Sequence, residues 1–206
     1  MTSTLQATKN AITLKGSTAI ISDYLKYGIN SILFQRGIYP PEDFQSTQQY
    51  GLTILVSTDN KIQEFLQNIL TQTETFLNRN ELEKISMVIT DAHTKETLEC
   101  WDFQVQCDDT SETNQENVNN AKDLKRIQME IGSVMRQISA TVSYLPLLDN
   151  ICSFDILLQT KETTEVPDKW DETNPVCIQN AQSVQLRSFS TGVHTVNTAV
   201  SYKFVN

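Results

Sequence analysis

The stretch RSFSTGVHTVNTAVSYKFVN, residues 187–206, alternates apolar and polar side chains in the manner of a half-buried β-strand. Its even-numbered positions form one mostly apolar face, made by Val196, Val200, Tyr202 and Phe204. A strand of this kind must pair with another strand, because its backbone N–H and C=O groups need hydrogen-bonding partners. The fold therefore depends on which strand it pairs with, and on whether that pairing is fixed.

Further strands are predicted earlier in the chain. KISMVIT (84–90) and TLECWDFQVQC (97–107) are joined by a polar turn and form a hairpin. Trp101 and Phe103 alternate with polar residues in the second strand, so one face of the hairpin lies on a core. SYLPLLDNICSFDILLQT (143–160) predicts a long third strand kinked near Pro146, and YGLTILVST (50–58) predicts a short one.

Three helices are predicted from apolar residues spaced three and four apart. The first has Ser17 or Thr18 as its N-cap and ends before Gly37. The second opens at STDN (57–60), with Ser57, Thr58 or Asp59 as its cap. The apolar edge of the third helix is made by Ile127, Ile131, Val134 and Ile138. Arg136 lies about 180° from that edge and points away from the core.

The chain predicts one domain with an α+β core at about residues 12–160 and a C-terminal segment at about 161–206. That segment is rich in Thr, Pro, Asp and Asn before it becomes strand-like. DDTSETNQENVNN (108–120) is acidic and has no apolar anchors, so it is expected to be a mobile loop.

The composition argues against several function classes. The formal net charge is -9, and the absence of a Lys/Arg cluster argues against nucleic-acid and anionic-membrane binding. No apolar run of about 20 residues is present, and the first ten residues lack the apolar region of a secretion signal. We therefore expect an intracellular protein, with no nucleic acid and no membrane among its partners.

Residue patterns that carry catalysis are absent. No glycine-rich phosphate loop, GxSxG elbow or HExxH motif occurs, and four cysteines with two histidines give no metal-ligand spacing. His93 lies in a polar turn, and His194 lies in the C-terminal strand with a structural or exposed role. We expect no cofactor, no metal and no catalytic residues. A small α+β enzyme using Cys152 or His194 is the alternative from another class, and a low-pKa thiol is its test.

Several stretches resemble the HORMA-domain proteins of the spindle checkpoint. They are YGINSILFQRGIYPPEDF (27–44), YGLTILVSTD (50–59), RQISATVSYLPLLDNICSFDILL (136–158), VPDKW (166–170) and QLRSFSTGVHTVNTAVSYK (185–203). The resemblance runs from about Ile12 to Lys203 and is weakest in the acidic loop. The chain departs from the family at Phe76, where Trp is frequent. The resemblance implies an α+β HORMA domain, with three helices packed on a mainly antiparallel sheet and a mobile C-terminal segment called the safety belt.

In this family the safety belt has two positions. In the open conformer it covers the edge of the strand that corresponds here to CSFDILLQT (152–160). In the closed conformer it crosses to the opposite edge, beside LECWDFQVQC (98–107), and displaces the N-terminal segment. The freed edge then binds a partner peptide by strand addition, and the belt wraps around it.

Three sets of site residues follow from the resemblance. The peptide-binding edge is assigned to Phe154, Ile156, Leu157, Leu158 and Gln159. The belt contacts are assigned to Trp170, Phe189, Val196, Val200 and Tyr202. The surface through which open and closed conformers dimerise is assigned to Arg136, Gln137, Tyr144 and Arg187. Alternation along the edge strand places Phe154, Ile156 and Leu158 on one face and Leu157 on the other.

The partners that the resemblance implies are all proteins. They are a coiled-coil checkpoint protein at kinetochores, the activator subunit of the anaphase-promoting complex, a second copy of the chain in an open–closed dimer, and a remodelling ATPase with a HORMA-like adaptor. Trapping the activator inhibits anaphase onset, in the nucleus, at kinetochores and in the cytoplasm. Two alternatives stay open: a HORMA accessory subunit of a DNA-repair polymerase complex, and a scaffold that does not switch.

Overall fold

A computed structural model describes residues 12–108, 123–168 and 170–204. The acidic stretch expected to form a mobile loop lies, except for Asp108, outside these ranges. The first eleven residues, which the resemblance makes the displaced N-terminal segment, also lie outside them. Within the described ranges the buried apolar residues form one hydrophobic core.

The three predicted helices are present as α1 (Leu14–Gln35), α2 (Asn60–Asn78) and α3 (Leu124–Ala140). Asp59 caps α2, because its carboxylate accepts hydrogen bonds from the N–H groups of Lys61 and Ile62. The prediction of Ser17 or Thr18 as the N-cap of α1 is wrong. Thr13 caps this helix, and Ser17 and Thr18 lie inside it, fully buried, because their hydroxyls bond to other elements.

The strands match the sequence pattern where alternation is strong. They are β1 (Phe44–Gln49), β2 (Leu52–Ser57), β3 (Leu82–Asp91), β4 (Thr97–Cys107), β5 (Cys152–Thr160), β6 (Ala181–Gln185), β7 (Phe189–Ser190) and β8 (His194–Lys203). The hairpin of β3 and β4 is confirmed. The prediction of one long third strand at residues 143–160 is wrong in its first half. A short 3-10 turn at Thr141–Ser143 and irregular backbone precede β5, because Pro146 interrupts the strand pattern.

The main sheet has the strand order β5-β3-β4-β8-β6, and β7 adds to β8. Every pair in it is antiparallel. A separate two-stranded sheet, β1 and β2, packs against α1. Strands β5 and β6 therefore form the two ends of the main sheet, and β8 lies inside it.

The core lies between the helices and one face of the main sheet. Trp101 and Phe103 of β4 are fully buried there. The predicted stripe of α3, namely Ile127, Ile131, Val134 and Ile138, is fully buried as well. Arg136 is exposed, as its position on the helix predicts. The other face of the sheet is largely polar, so the helices pack on one face of the sheet only.

Candidate functional site

Strand β8 is the partner strand of β4. Its register places Val200 opposite Trp101 and Tyr202 opposite Glu99. On its other side β8 pairs with β6 and β7. This is the edge that the resemblance assigns to the safety belt of the closed conformer. The chain therefore has the closed arrangement of strands.

The residues assigned to the belt are anchored in the core. Val196 and Val200 are fully buried, and Phe189 meets Tyr24 of α1 edge-to-face with ring centroids 4.8 Å apart. Tyr202 is almost buried and donates a hydrogen bond to Gln182 of β6 at 3.0 Å. Trp170 is half-buried against the same core. Phe204, expected on the apolar face of this strand, follows the end of β8 and is 45% exposed.

Buried hydrogen bonds join β8 to α1 at two places. The hydroxyl of Ser17 lies 2.6 Å from the hydroxyl of Thr191 and 2.8 Å from Nδ1 of His194. The hydroxyl of Tyr24 lies 2.7 Å from that of Thr198. Burial lowers the pKa of His194 below its ordinary value, which keeps the ring neutral at neutral pH. His194 thus has the structural role that the sequence allowed.

These polar contacts were not predicted from the sequence. The signal available was the polar character of His194 and Thr198, which occupy inward positions of an otherwise apolar face. Such residues are buried only when they find partners. Their partners lie on a helix at the other end of the chain, and no local pattern identifies them.

Strand β5 presents an unpaired edge among the described residues. It pairs with β3 alone. The N–H of Ile156 donates to the carboxylate of Asp155 at 2.8 Å, which shows that this group points away from β3. Because backbone groups alternate along a strand, those of Phe154 and Leu158 point outward too. One outward N–H is thus capped by a neighbouring side chain, and the edge is otherwise free to accept another strand.

The side chains of β5 divide between two faces as predicted. Ile156 is buried, while Phe154 and Leu158 are half-buried against the core on the same face. Leu157 lies on the opposite face, and Gln159 donates a hydrogen bond to Glu83 at 3.1 Å. The assigned edge residues are therefore brought together on one strand.

An aromatic cluster flanks β5 on the helical side. The ring of Phe154 meets Tyr39 at 6.1 Å and Phe65 of α2 at 5.6 Å, both edge-to-face. Phe65 remains 38% exposed although it is a large apolar residue. This cluster offers apolar surface beside an open strand edge, a combination that suits the apolar side chains of an added strand.

A buried ion pair fixes the backbone that leads into β5. The guanidinium of Arg36, at the end of α1, donates from Nε to Glu99 of β4 at 2.9 Å. The indole of Trp101 donates to the same carboxylate at 3.1 Å, and Arg36 also donates to the carbonyl oxygen of Pro146. Arg36 thus links β4, the strand that pairs with β8, to the segment that precedes β5.

Of the residues assigned to the dimer surface, Arg136 and Gln137 lie on α3, Tyr144 follows its end, and Arg187 contacts it. Arg136 is exposed, and the side-chain oxygen of Gln137 accepts a hydrogen bond from the N–H of Arg187 at 2.6 Å. Tyr144 follows the end of α3 and is 45% exposed. Gln137 and Arg187 are therefore in direct contact, with Arg136 beside Gln137 on the helix.

The described residues contain no group of His, Cys, Asp and Glu that could hold a metal ion. Burial raises the pKa of the Cys100 thiol to about 12 and also raises that of Cys152. A reactive cysteine needs a lowered pKa, so these thiols do not suit catalysis. Among the described residues, no helix is long and apolar enough to cross a membrane.

Comparison with known proteins finds close relatives over nearly the whole length. The HORMA-domain family model matches residues 17–194. "Mitotic spindle assembly checkpoint protein MAD2A" of Mus musculus is 46% identical over 197 residues, covering 96% of this chain and 95% of that protein. The protein of the same name from Homo sapiens is 45% identical, covering 95% and 94%. A chain in a crystal structure of a mitotic checkpoint complex superposes with a TM-score of 0.83 at 38% identity, covering 92% of this chain and 99% of that one.

More distant relatives share the fold. Caenorhabditis elegans HTP-2, solved bound to a HIM-3 closure motif, superposes with a TM-score of 0.76 at 15% identity, covering 95% of this chain and 93% of that chain. "Mitotic spindle assembly checkpoint protein MAD2B" of Rattus norvegicus is 22% identical over 143 residues, covering 69% of this chain and 65% of that protein. The identity to MAD2B is about half the identity to the two MAD2A proteins.

Proposed function

Because this chain belongs to the HORMA-domain family, in its spindle-checkpoint branch, we propose that it is a two-conformer switch that traps peptide motifs beneath its C-terminal segment. Its place in the spindle assembly checkpoint follows from 46% and 45% identity over nearly the whole chain. The trapping mechanism is supported by one observation above all. Strand β8 occupies the β4 side of the sheet, and at the other end β5 has an edge that no strand among the described residues covers.

We propose that the partner peptide pairs with β5 as an additional strand. Its backbone would bond to the outward groups of Phe154, Ile156 and Leu158, and Asp155 would release the N–H of Ile156. Alternate side chains of the peptide would meet the cluster of Tyr39, Phe65 and Phe154. The preferred peptide is therefore extended, with apolar residues at every second position.

The partners proposed are those that checkpoint function requires. They are a coiled-coil protein at kinetochores and the activator subunit of the anaphase-promoting complex, with release by a remodelling ATPase and its HORMA-like adaptor. The protein acts by binding rather than catalysis, in the nucleus, at kinetochores and in the cytoplasm. The raised pKa values of Cys100 and Cys152 support a role without a reactive thiol.

A ligand shifts the equilibrium between two conformers only if it binds one of them more tightly than the other. Shifting a population from 1:99 to 99:1 takes about 5.5 kcal/mol of differential binding. A peptide that pairs with β5 binds only when the belt has left that edge, so its whole binding energy favours the closed form. The exchange breaks the ladder that β8 makes with β4, so we expect it to be slow.

Hydrogen exchange on the purified protein tests the switch. A labelled 15-residue peptide selected from a random library for binding serves as the probe. We expect the peptide to protect residues 153–159, to change protection in 188–204, and to expose residues 1–10. Binding with unchanged protection in 188–204 in every conformer that can be purified would leave a peptide-binding domain but reject the movable belt.

We propose further that the surface made by Arg136, Gln137, Tyr144 and Arg187 joins open and closed copies. Replacing Arg136 by Glu is expected to weaken self-association at least tenfold, because a charge is reversed at an exposed position of the interface. Sedimentation at several concentrations measures this, and Lys125→Glu on the same helix is the charge-matched control. Unchanged association with Arg136→Glu would place the dimer surface elsewhere.

The alternative role, as accessory subunit of a DNA-repair polymerase complex, finds less support. The MAD2A proteins of Mus musculus and Homo sapiens match at 46% and 45% identity, whereas MAD2B matches at 22%. The same edge and belt would serve either role, so the identity of the trapped peptide is what separates them. Capture of the activator subunit, measured with purified components, favours the checkpoint role.

A further inference from the structure

Two buried hydrogen-bond contacts join α1 to β8, one from Ser17 to His194 and one between Tyr24 and Thr198. Ser17 and Tyr24 are seven residues apart on the helix, which is two turns or about 10 Å along its axis. Their partners His194 and Thr198 are four residues apart on the strand, or about 13 Å. Both contacts form in one register of β8, while the other ring nitrogen of His194, Nε2, has no hydrogen-bonding partner among the described residues.

The inward face of β8 alternates between polar and apolar residues. Its inward positions are His194, Val196, Thr198, Val200 and Tyr202. The polar positions at 194 and 198 meet the hydroxyls of α1, and the valines at 196 and 200 meet apolar core. The side-chain pattern of this strand thus repeats every four residues, whereas backbone pairing repeats every two.

This difference matters because the backbone ladder does not distinguish registers by itself. A slip of β8 by two residues along β4 keeps the same face inward and restores most backbone hydrogen bonds. It would also place Val196 and Val200 opposite Ser17 and Tyr24 in one direction, or Gly192 and Val196 in the other, and neither hydroxyl would meet a polar side chain of β8. Buried unpaired polar groups are strongly disfavoured, so the slipped register is rejected by these two positions.

We propose that Ser17 and Tyr24 of α1 are positioning residues that select the register of β8 on β4. Thr191 completes the first contact, since its hydroxyl accepts hydrogen bonds from the N–H groups of Val193 and His194 and meets Ser17. The inference concerns how β8 docks. It goes beyond the proposed function and holds for a movable belt as well as for a fixed strand.

The test compares two double variants of the free protein by NMR. In Ser17→Ala/Tyr24→Phe the helix no longer discriminates between registers. We expect a second set of β8 amide signals, contacts from Trp101 to Thr198 or Tyr202 in addition to Val200, and about tenfold faster hydrogen exchange in β8 than in the original chain. The control Thr18→Val/Tyr27→Phe removes hydroxyls of the same helix that face elsewhere, since Thr18 bonds to Asn78 and Tyr27 packs on Tyr50. It should keep one register.

If β8 detaches from the sheet in Ser17→Ala/Tyr24→Phe, a second measurement tests the proposal. Tyr24→Phe and Thr198→Val each leave one buried hydroxyl without its partner and should speed exchange in β8 about tenfold. Combined, they leave an apolar pair, and exchange should return to within about threefold of the original rate. Additive losses in the combined variant, or a single unchanged register with the original β8 exchange rates in Ser17→Ala/Tyr24→Phe, would overturn the proposal.

Discussion

Replacing Leu158 by proline is expected to weaken peptide binding by at least about tenfold while leaving the protein folded. The N–H of Leu158 points away from β3, so proline removes a group that only an added strand would use. Proline is tolerated at a strand edge for this reason. Its ring also obstructs the approach of another backbone. The measurement is the dissociation constant of the selected 15-residue peptide, by fluorescence anisotropy.

Two variants make the result specific to the backbone. Leu158→Ala shortens the same half-buried side chain but keeps the outward N–H, so binding should fall much less than with proline. Leu157→Pro removes an N–H that points toward β3, and it should disrupt the sheet rather than the peptide site. If Leu158→Pro binds the peptide as tightly as Leu158→Ala does, strand addition to β5 is the wrong mode of binding.

The largest loss of stability is expected from Glu99→Ala. Both Glu99 and Arg36 are buried, and the substitution leaves the guanidinium of Arg36 in the interior without its carboxylate. Breaking such a pair from one side costs about 3–5 kcal/mol of the free energy of unfolding. Trp101 loses the acceptor for its indole N–H as well. Urea unfolding followed by tryptophan fluorescence measures the change.

The matched comparison is the half-exposed ion pair between Lys84 and Asp102, whose charged atoms lie 3.5 Å apart on neighbouring β3 and β4. Removing Lys84 should cost no more than about 1 kcal/mol, because water solvates both charges. Replacing Arg36 and Glu99 together by methionine should recover much of the loss, since no buried charge is then left alone. Equal losses for Glu99→Ala and Lys84→Ala would mean that the Arg36–Glu99 pair is solvated.

Parts of this fold could be predicted because their signals are local. The bounds of β4 follow from alternation, the cap of α2 follows from Asp59, and the exposure of Arg136 follows from helical geometry. β1 was missed because FQSTQQ has no apolar face to reveal it, and its pairing with β2 depends on the turn at Tyr50 and Gly51, both with positive φ. Here backbone geometry forms a strand that side chains do not indicate.

The site was harder to predict than the fold. Alternation placed Phe154, Ile156 and Leu158 on one face, yet the open edge depends on which strands pair, and backbone pairing is nearly independent of sequence. The buried Arg36–Glu99 pair joins residues far apart in the chain, and so do the contacts from α1 to β8. Only the resemblance to known proteins supplied the two belt positions, because they are a property of alternative pairings and not of one residue pattern.

The place of β8 inside the sheet has a consequence for biosynthesis. β8 lies between β4 and β6, yet both it and β6 follow β3, β4 and β5 in the chain, so they leave the ribosome after the strand on which they assemble. Until then neither β4 nor β5 has β8 beside it, and an uncovered strand edge is a template for association with another polypeptide. Chaperone dependence during translation should therefore be highest before β8 emerges, and truncation upstream of His194 should convert a well-behaved protein into an aggregating one.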